Sequence, residues 1–320
     1  MNTLNPSSRV PTWARMLGDS GFKTFLNLIE HYFALRNITI KVDTDDGVIR
    51  PILAVSAQSS VFGLQNIAQV CHQAEEKEWE TLITAHFDSI FAVKDENSAL
   101  HVDMTDFKKV QPRLRARLYP EEIASHTNEI VSQDSLAGAL EVLVLDLPTT
   151  VRTVSKQEAA QWGFTEEELL LIGRRNLRAG GLLKGNSVAL EQGTSLILYS
   201  GDNFYAASHT LIFEDYMAQQ IEKGAALRDY GALVGIPKRD VMLAHFIRNV
   251  GAVEAVGAML QALVGMHRDG PGSITPNLFW YHDGAFEQLP YELDGNQLSF
   301  APSDDFVELL DQLSARASLS

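Results

Sequence analysis

The chain has 320 residues, 45% of them apolar and 21% charged, which is ample for a large core and excludes disorder over most of the length. A formal charge of −15 and a pI near 5.0 disfavour attraction to nucleic acid or an anionic membrane surface; they suit a solvated acidic protein or a basic protein partner. With Cys71 as the single cysteine no intrachain disulfide can form, and Met1 to Thr12 lacks the apolar core of a signal peptide, so a reducing cytoplasm is the expected compartment.

Residues 1–12 read as a disordered leader. Trp13 to Leu35 then carries Phe22, Phe25, Leu26, Ile29 and Phe33 at helical spacing. Ile38, Ile40 and Val42 alternate with polar residues, Asp46-Gly47 supplies a turn, and Val48 to Val55 returns as an apolar strand. Leu64 to Val93 predicts a long helix that would cover this hairpin, so residues 13–106 form an expected α-β-β-α subdomain that ends in the acidic stretch Asp95 to Asp106.

A larger α+β domain is expected over 107–312, followed by a flexible tail over 313–320. It opens on Lys108-Lys109-Val110-Gln111-Pro112-Arg113-Leu114-Arg115-Ala116-Arg117, the one basic stretch of an acidic chain. The apolar run Leu140 to Leu147 predicts a strand buried on both faces. Next comes a helix junction in which Ser155 and Glu158 form a capping box, Gly163 supplies a left-handed stop, and Thr165 and Glu168 form a second box. Phe164 and Leu169 stand at hydrophobic-staple positions. Gly180 to Ser187 reads as a flexible loop, with Lys and Gly in the wrong order for a phosphate loop.

Leu196 to Ser200 and Phe204 to Ala207 predict a hairpin around Gly201-Asp202-Asn203, with Ser208 as the N-cap of the helix that follows. Leu233 to Ile236 and Val241 to Phe246 predict another hairpin, followed by a helix from about Asn249 to Met266. That apolar stretch is interrupted by Glu254 and Gln261 and is too short to span a bilayer comfortably. Turns at Asp283-Gly284 and Asp294-Gly295 close a C-terminal meander. Short hairpins separated by single helices argue for an α+β fold, with mixed or antiparallel hairpin-rich sheets, helices packed on them, and β-β-α units.

Gln111-Pro112-Arg113-Leu114-Arg115 with Tyr119-Pro120, Trp162-Gly163-Phe164-Thr165-Glu166, Arg175-Asn176-Leu177, Val234-Gly235-Ile236-Pro237 with Asp240-Val241, and Tyr281-His282-Asp283-Gly284 follow one another in an order that resembles the bacterial family catalogued as domain of unknown function 1444. The likeness spans roughly residues 36 to 290 and implies a cytoplasmic bacterial protein. It transfers no catalytic residue.

In an extended strand Arg113, Arg115 and Arg117 share one face, where guanidinium forks could grip a phosphate or carboxylate; the plainer alternative is a charged edge strand or arginines paired with acids. Asn176, a poor helix former inside a helix, could meet Arg115, Asp202 and Asp240 around a polar cleft if the hairpins converge. The nine histidines include no ligand spacing for a metal, and adjacent Cys71 and His72 point apart on a helix. No catalytic set, metal or cofactor is therefore assigned. The expected role is a non-enzymatic cytoplasmic binding or adaptor protein whose acidic surface meets a protein partner, for which a basic one fits the charge, with no nucleic acid and no membrane. The alternative is a small-ligand sensor or enzyme built around Arg115, Asn176, Asp202 and Asp240.

Overall fold

The computed structural model describes residues 10–45, 47–52, 62–99, 104–122, 129–147, 151–190, 194–201, 205–222, 230–294 and 297–318. The chain is an α+β protein whose described strands all pair antiparallel. It divides into two compact units: Met1–His101 with Asp269–Pro271, and Val102–Arg268 with Gly272–Ser320.

In the smaller unit, α1 (Gly18–Leu35) precedes a three-stranded sheet of β1 (Thr39–Asp43), β2 (Val48–Ile52) and β3 (Phe62–Gly63), then α2 (Gln65–His72) and α3 (Trp79–Ala99). The single helix expected over Leu64 to Val93 is two, because Glu75 and Glu78 cap one another reciprocally and restart the chain as a new helix. Phe25, Ile29 and Phe33 of α1 pack with Ile49, Ile67, Ile83 and Phe87. Cys71 lies fully inside this core, and burial pushes its thiol up to about 12, which keeps it protonated and inert. Asp46 of the expected turn and residues 1–9 of the expected leader lie outside the described residues.

The larger unit opens with α4 (Phe107–Val110) and a 3₁₀ turn over Gln111–Arg113. A sheet follows, of β4 (Leu114–Pro120), β5 (Ser132–Leu136), β6 (Ala139–Asp146) and β7 (Val151–Thr153), with β6 central and paired to the other three. Residues 139–145 of β6 are all buried, as the apolar run requires. After β7 come α5 (Lys156–Ala159) and α6 (Glu166–Ala179), joined through Gly163 at φ 73°, and both capping boxes form. At the staple positions Leu169 is buried, while the half-exposed Phe164 packs its ring on Phe107, 4.6 Å between centroids.

Six further strands form a second sheet in the order β13-β12-β10-β11-β9-β8: β8 (Gly185–Ala189), β9 (Ser195–Ser200), β10 (Ala232–Lys238), β11 (Val241–Phe246), β12 (Leu278–His282) and β13 (Ala285–Leu289). Part of the expected Gly180–Ser187 loop is thus strand β8. The partners of β9 are β8 and β11; of the strand expected at Phe204 to Ala207, Phe204 lies outside the described residues and Ala207 begins a 3₁₀ turn that runs to Ile212 and leads into α7 (Phe213–Glu222).

One face of the six-stranded sheet carries α8 (Ala252–Arg268), whose Ala255, Met259 and Leu263 pack on Leu233 and Leu243. Gly235 lets α8 approach: a Cβ there would stand 2.4 Å from Leu263 Cδ2. The other face packs Phe213 and Tyr216 against Val234, Met242 and Ala244. The hairpin of β14 (Tyr291–Asp294) and β15 (Gln297–Phe300) precedes α9 (Asp304–Ala317). This helix occupies the stretch from 313 expected as a tail, and it buries Phe306, Leu309 and Leu313 in the α8 core.

Candidate functional site

Among the residues nominated from sequence, Arg113 sits in the 3₁₀ turn before β4 and so does not share a strand face with Arg115 and Arg117. Arg115 Nη1 donates to the carbonyls of Pro112 and Leu114 at 2.8 and 2.9 Å. Asn176 Nδ2, from α6, donates to the carbonyls of Gln111 and Leu114 at 2.7 and 3.0 Å. The two side chains do meet, but on a backbone oxygen: together they fasten the turn that aims β4, and these bonds offset the poor helical propensity of Asn176. No carboxylate pairs with Arg115 among the described residues.

Arg117 is only 7% exposed. Its Nη1 reaches the Tyr119 hydroxyl at 3.4 Å, its guanidinium carbon lies 5.0 Å from the Tyr119 ring centre and 5.6 Å from that of Tyr205, and its Nε has no hydrogen-bond partner. Asp240 closes the β10–β11 turn beside Arg239, and its buried Oδ1 accepts no hydrogen bond. Asp202 lies outside the described residues. Ser208, expected as a cap, uses its Oγ to accept the Leu118 amide at 3.0 Å on the outer edge of β4.

A concave site lies elsewhere. A cleft of about 880 Å³ opens where β9, the end of β11 and the start of α8 meet, and among the described residues none of those nominated lines it. Thr194, Ser195, His245, Arg248, Asn249 and Glu254 give it polar walls; Ile197, Phe246, Val250 and Val253 give it apolar ones. Asn249 Oδ1 accepts the Gly251 amide at 2.9 Å at the approach to α8. Gly251 lets Thr194 come close there: a Cβ would stand 2.2 Å from Thr194 Oγ1, and that side chain would have to shift.

His245 is the chemically distinctive wall residue. It alternates with Val241 and Leu243 on the α8 side of β11 and is 7% exposed. Its Nδ1 stands 3.0 Å from the Ser195 carbonyl, which can only accept, so Nδ1 carries the proton and Nε2 presents a lone pair. Burial, reinforced by the Arg248 charge, lowers its pKa, against the raising effects of the Ser195 hydrogen bond and Glu254; the ring is neutral at pH 7. Nε2 is buried and has no donor. A buried acceptor left unsatisfied costs about 1–3 kcal/mol, which a donor reaching it would recover. The sequence signal was a single histidine inside an otherwise apolar strand, Val241-Met242-Leu243-Ala244-His245-Phe246; a search for paired metal-ligand spacings passes over it.

Among the described residues no group of three or more His, Cys, Asp or Glu could hold a metal ion, and no helix is long and apolar enough to cross a membrane. No family model, curated protein or solved structure matches the chain.

Proposed function

We propose that the protein is a non-enzymatic binding protein whose ligand is a small organic molecule seated in the β9–β11–α8 cleft and donating a hydrogen bond to His245 Nε2. The orphaned lone pair of a fixed, neutral and buried histidine in the wall of a cleft carries this proposal. The mixed lining suits an amphipathic molecule, with Ile197, Val250 and Val253 taking its apolar part and Thr194, Ser195 and Arg248 its polar rim. A bacterial cytoplasmic setting belongs to the same proposal. It rests on the motif succession that resembles domain of unknown function 1444 and on the lone, inert Cys71.

A thermal-shift screen of metabolites tests it. A ligand at a hundred times its dissociation constant adds about 2.7 kcal/mol of stability, well above detection. His245→Leu removes the acceptor and also the Nδ1 bond to the Ser195 carbonyl, so this variant should lose about 1 kcal/mol or less without ligand and lose the response. Hits that persist in His245→Leu, or no hits with the wild type, would sink the proposal. A second proposal, a basic protein partner, is supported by the charge of −15. It requires an interaction that weakens steadily with salt, and a pull-down empty at every salt concentration counts against it.

A further inference from the structure

We propose that Arg117 and Arg239 form a receptor for a small oxyanion, a carboxylate or phosphate group, where β4 meets the β10–β11 turn. The backbone brings them together. The amide of Ala207 donates to the Arg239 carbonyl at 3.2 Å, while Ser208, the next residue, holds the Leu118 amide next to Arg117 at 3.0 Å. The stem of Arg239 crosses Gly272, where a Cβ would stand 2.8 Å from Arg239 Cδ. Consistent with this closeness, burial and then the charge of Arg117 lower the Arg239 pKa, while Asp240 raises it.

Arg117 has no acid of its own among the described residues. On its face of β6, Leu140, Val142 and Val144 pair with Tyr119, Arg117 and Arg115 and are apolar, and the one acid of that face, Asp146, stands at the strand end beyond them. Glu141 projects to the opposite face and belongs to Arg174. Asp146 Oδ1 accepts the Tyr205 hydroxyl at 3.0 Å. Asp240 supports Arg239, its neighbour in sequence. A buried cation without a counterion is expensive, and stacking near two rings returns only part of the cost.

The donor that Arg117 leaves unpaired suits an oxyanion. Nη1 is turned to Tyr119, so the Nε edge of the guanidinium fork, whose Nε has no partner, remains for a bidentate contact with two oxygens. The Tyr119 oxygen accepts from Nη1, which leaves its proton to donate to the same ligand. The site is separate from the His245 cleft, and either can fail without the other.

The test uses the full chain in chloride buffer, titrated with inorganic phosphate and, separately, with succinate, against sodium chloride at equal ionic strength. Binding is read by calorimetry and by the rise in Tm. A saturable response to phosphate or to succinate, absent with chloride, is expected, and which anion responds assigns the ligand class. Arg239→Gln should weaken it by about tenfold and Arg117→Lys, which keeps the charge but loses the fork, by a similar factor. Arg117→Met should abolish it while leaving the ligand-free Tm unchanged or higher. No response to either anion beyond chloride overturns the proposal. So does a response that survives Arg117→Met or is indifferent to Arg239→Gln; should Arg117→Met not fold, the Lys and Arg239 variants carry the decision.

Discussion

Two buried charges stand one register step apart on opposite faces of the β4–β6 pair, and the molecule treats them differently. Glu141, opposite Leu118, is fully buried, yet it accepts Nε of Arg174 at 2.6 Å, Nη2 of the same arginine, and Nε2 of Gln133 at 2.7 Å. Arg117, opposite Val142, is buried nearly as deeply with no acid and an orphaned Nε. Both charges are desolvated; only Glu141 is completed from within the chain. A charge satisfied by its own fold belongs to stability, and one left open at comparable depth marks a place where something else is meant to bind.

The strongest way to break this contrast is Arg174→Met. Leaving Glu141 without its bidentate partner should cost about 3–5 kcal/mol in urea unfolding, and adding Glu141→Leu should restore most of it, because a buried ion pair is often replaceable as a pair but not by halves. If Arg174→Met is nearly silent while Arg117→Met unfolds the protein, the assignment of structural and functional charge is inverted.

A third solution to burial is to discharge the group. His209 is 3% exposed; its Nδ1 meets the Tyr216 hydroxyl at 2.8 Å, and that oxygen also accepts the Leu183 amide at 2.9 Å. Burial pushes its pKa down to about 4 from an ordinary 6.5, so the unfolded chain takes up a proton over a range in which the folded chain does not. The stability this contributes is present above pH 6.5 and is lost as pH falls from 6.5 towards 4, by about 3 kcal/mol at the limit. Urea midpoints at pH 7 and 4.5 for the wild type and His209→Gln should show a steeper decline in the wild type. Parallel declines would mean the imidazole is not kept neutral.

The signals legible in the sequence were the ones whose partners are near in the chain. Ser155 with Glu158, Thr165 with Glu168, and Gly163 at φ 73° form as expected, and Asp283 and Gly284 turn with φ of 49° and 80°. The β10–β11 hairpin and the buried β6 follow from apolar runs bounded by turns. β8 escaped because most of its residues are exposed and its edge position needs no apolar alternation. The arginines show the same limit. Alternation places Arg115 and Arg117 on one face, but it does not reveal that the strand starts after Arg113, nor that Tyr205, far away in sequence, would lie beside Arg117. His245 looked ordinary because its isolation depends on Ser195 and on α8.

The contrast can be sharpened without touching a charge. Gly173 of α6 lies against β4, where a Cβ would stand 2.6 Å from the Ala116 amide nitrogen and 2.8 Å from the Arg115 carbonyl carbon. Neither backbone atom can move cheaply, so Gly173→Ala should cost about 1–3 kcal/mol by forcing helix and strand apart. If Arg174 depends on that close approach, Gly173→Ala and Arg174→Met will not add. Additive losses would show that the ion pair adjusts independently of the packing.

The smallest expected effect bears most directly on the arginines. Arg115 shares a face with Arg117, but its Nη1 is spent on the carbonyls of Pro112 and Leu114, and it has no buried carboxylate to strand. Arg115→Gln should therefore cost only about 1 kcal/mol, the worth of one or two partly solvated hydrogen bonds, and leave oxyanion binding unchanged. The Leu114 carbonyl keeps its bond from Asn176 Nδ2 at 3.0 Å, so each side chain covers for the other. Combining Arg115→Gln with Asn176→Ala should then cost more than the sum of the single losses, because only the double variant leaves that carbonyl without a side-chain donor. A loss of several kcal/mol from Arg115→Gln alone would mean that β4 is aimed by this one arginine, and the division between an occupied Arg115 and an open Arg117 would fail at its nearer member.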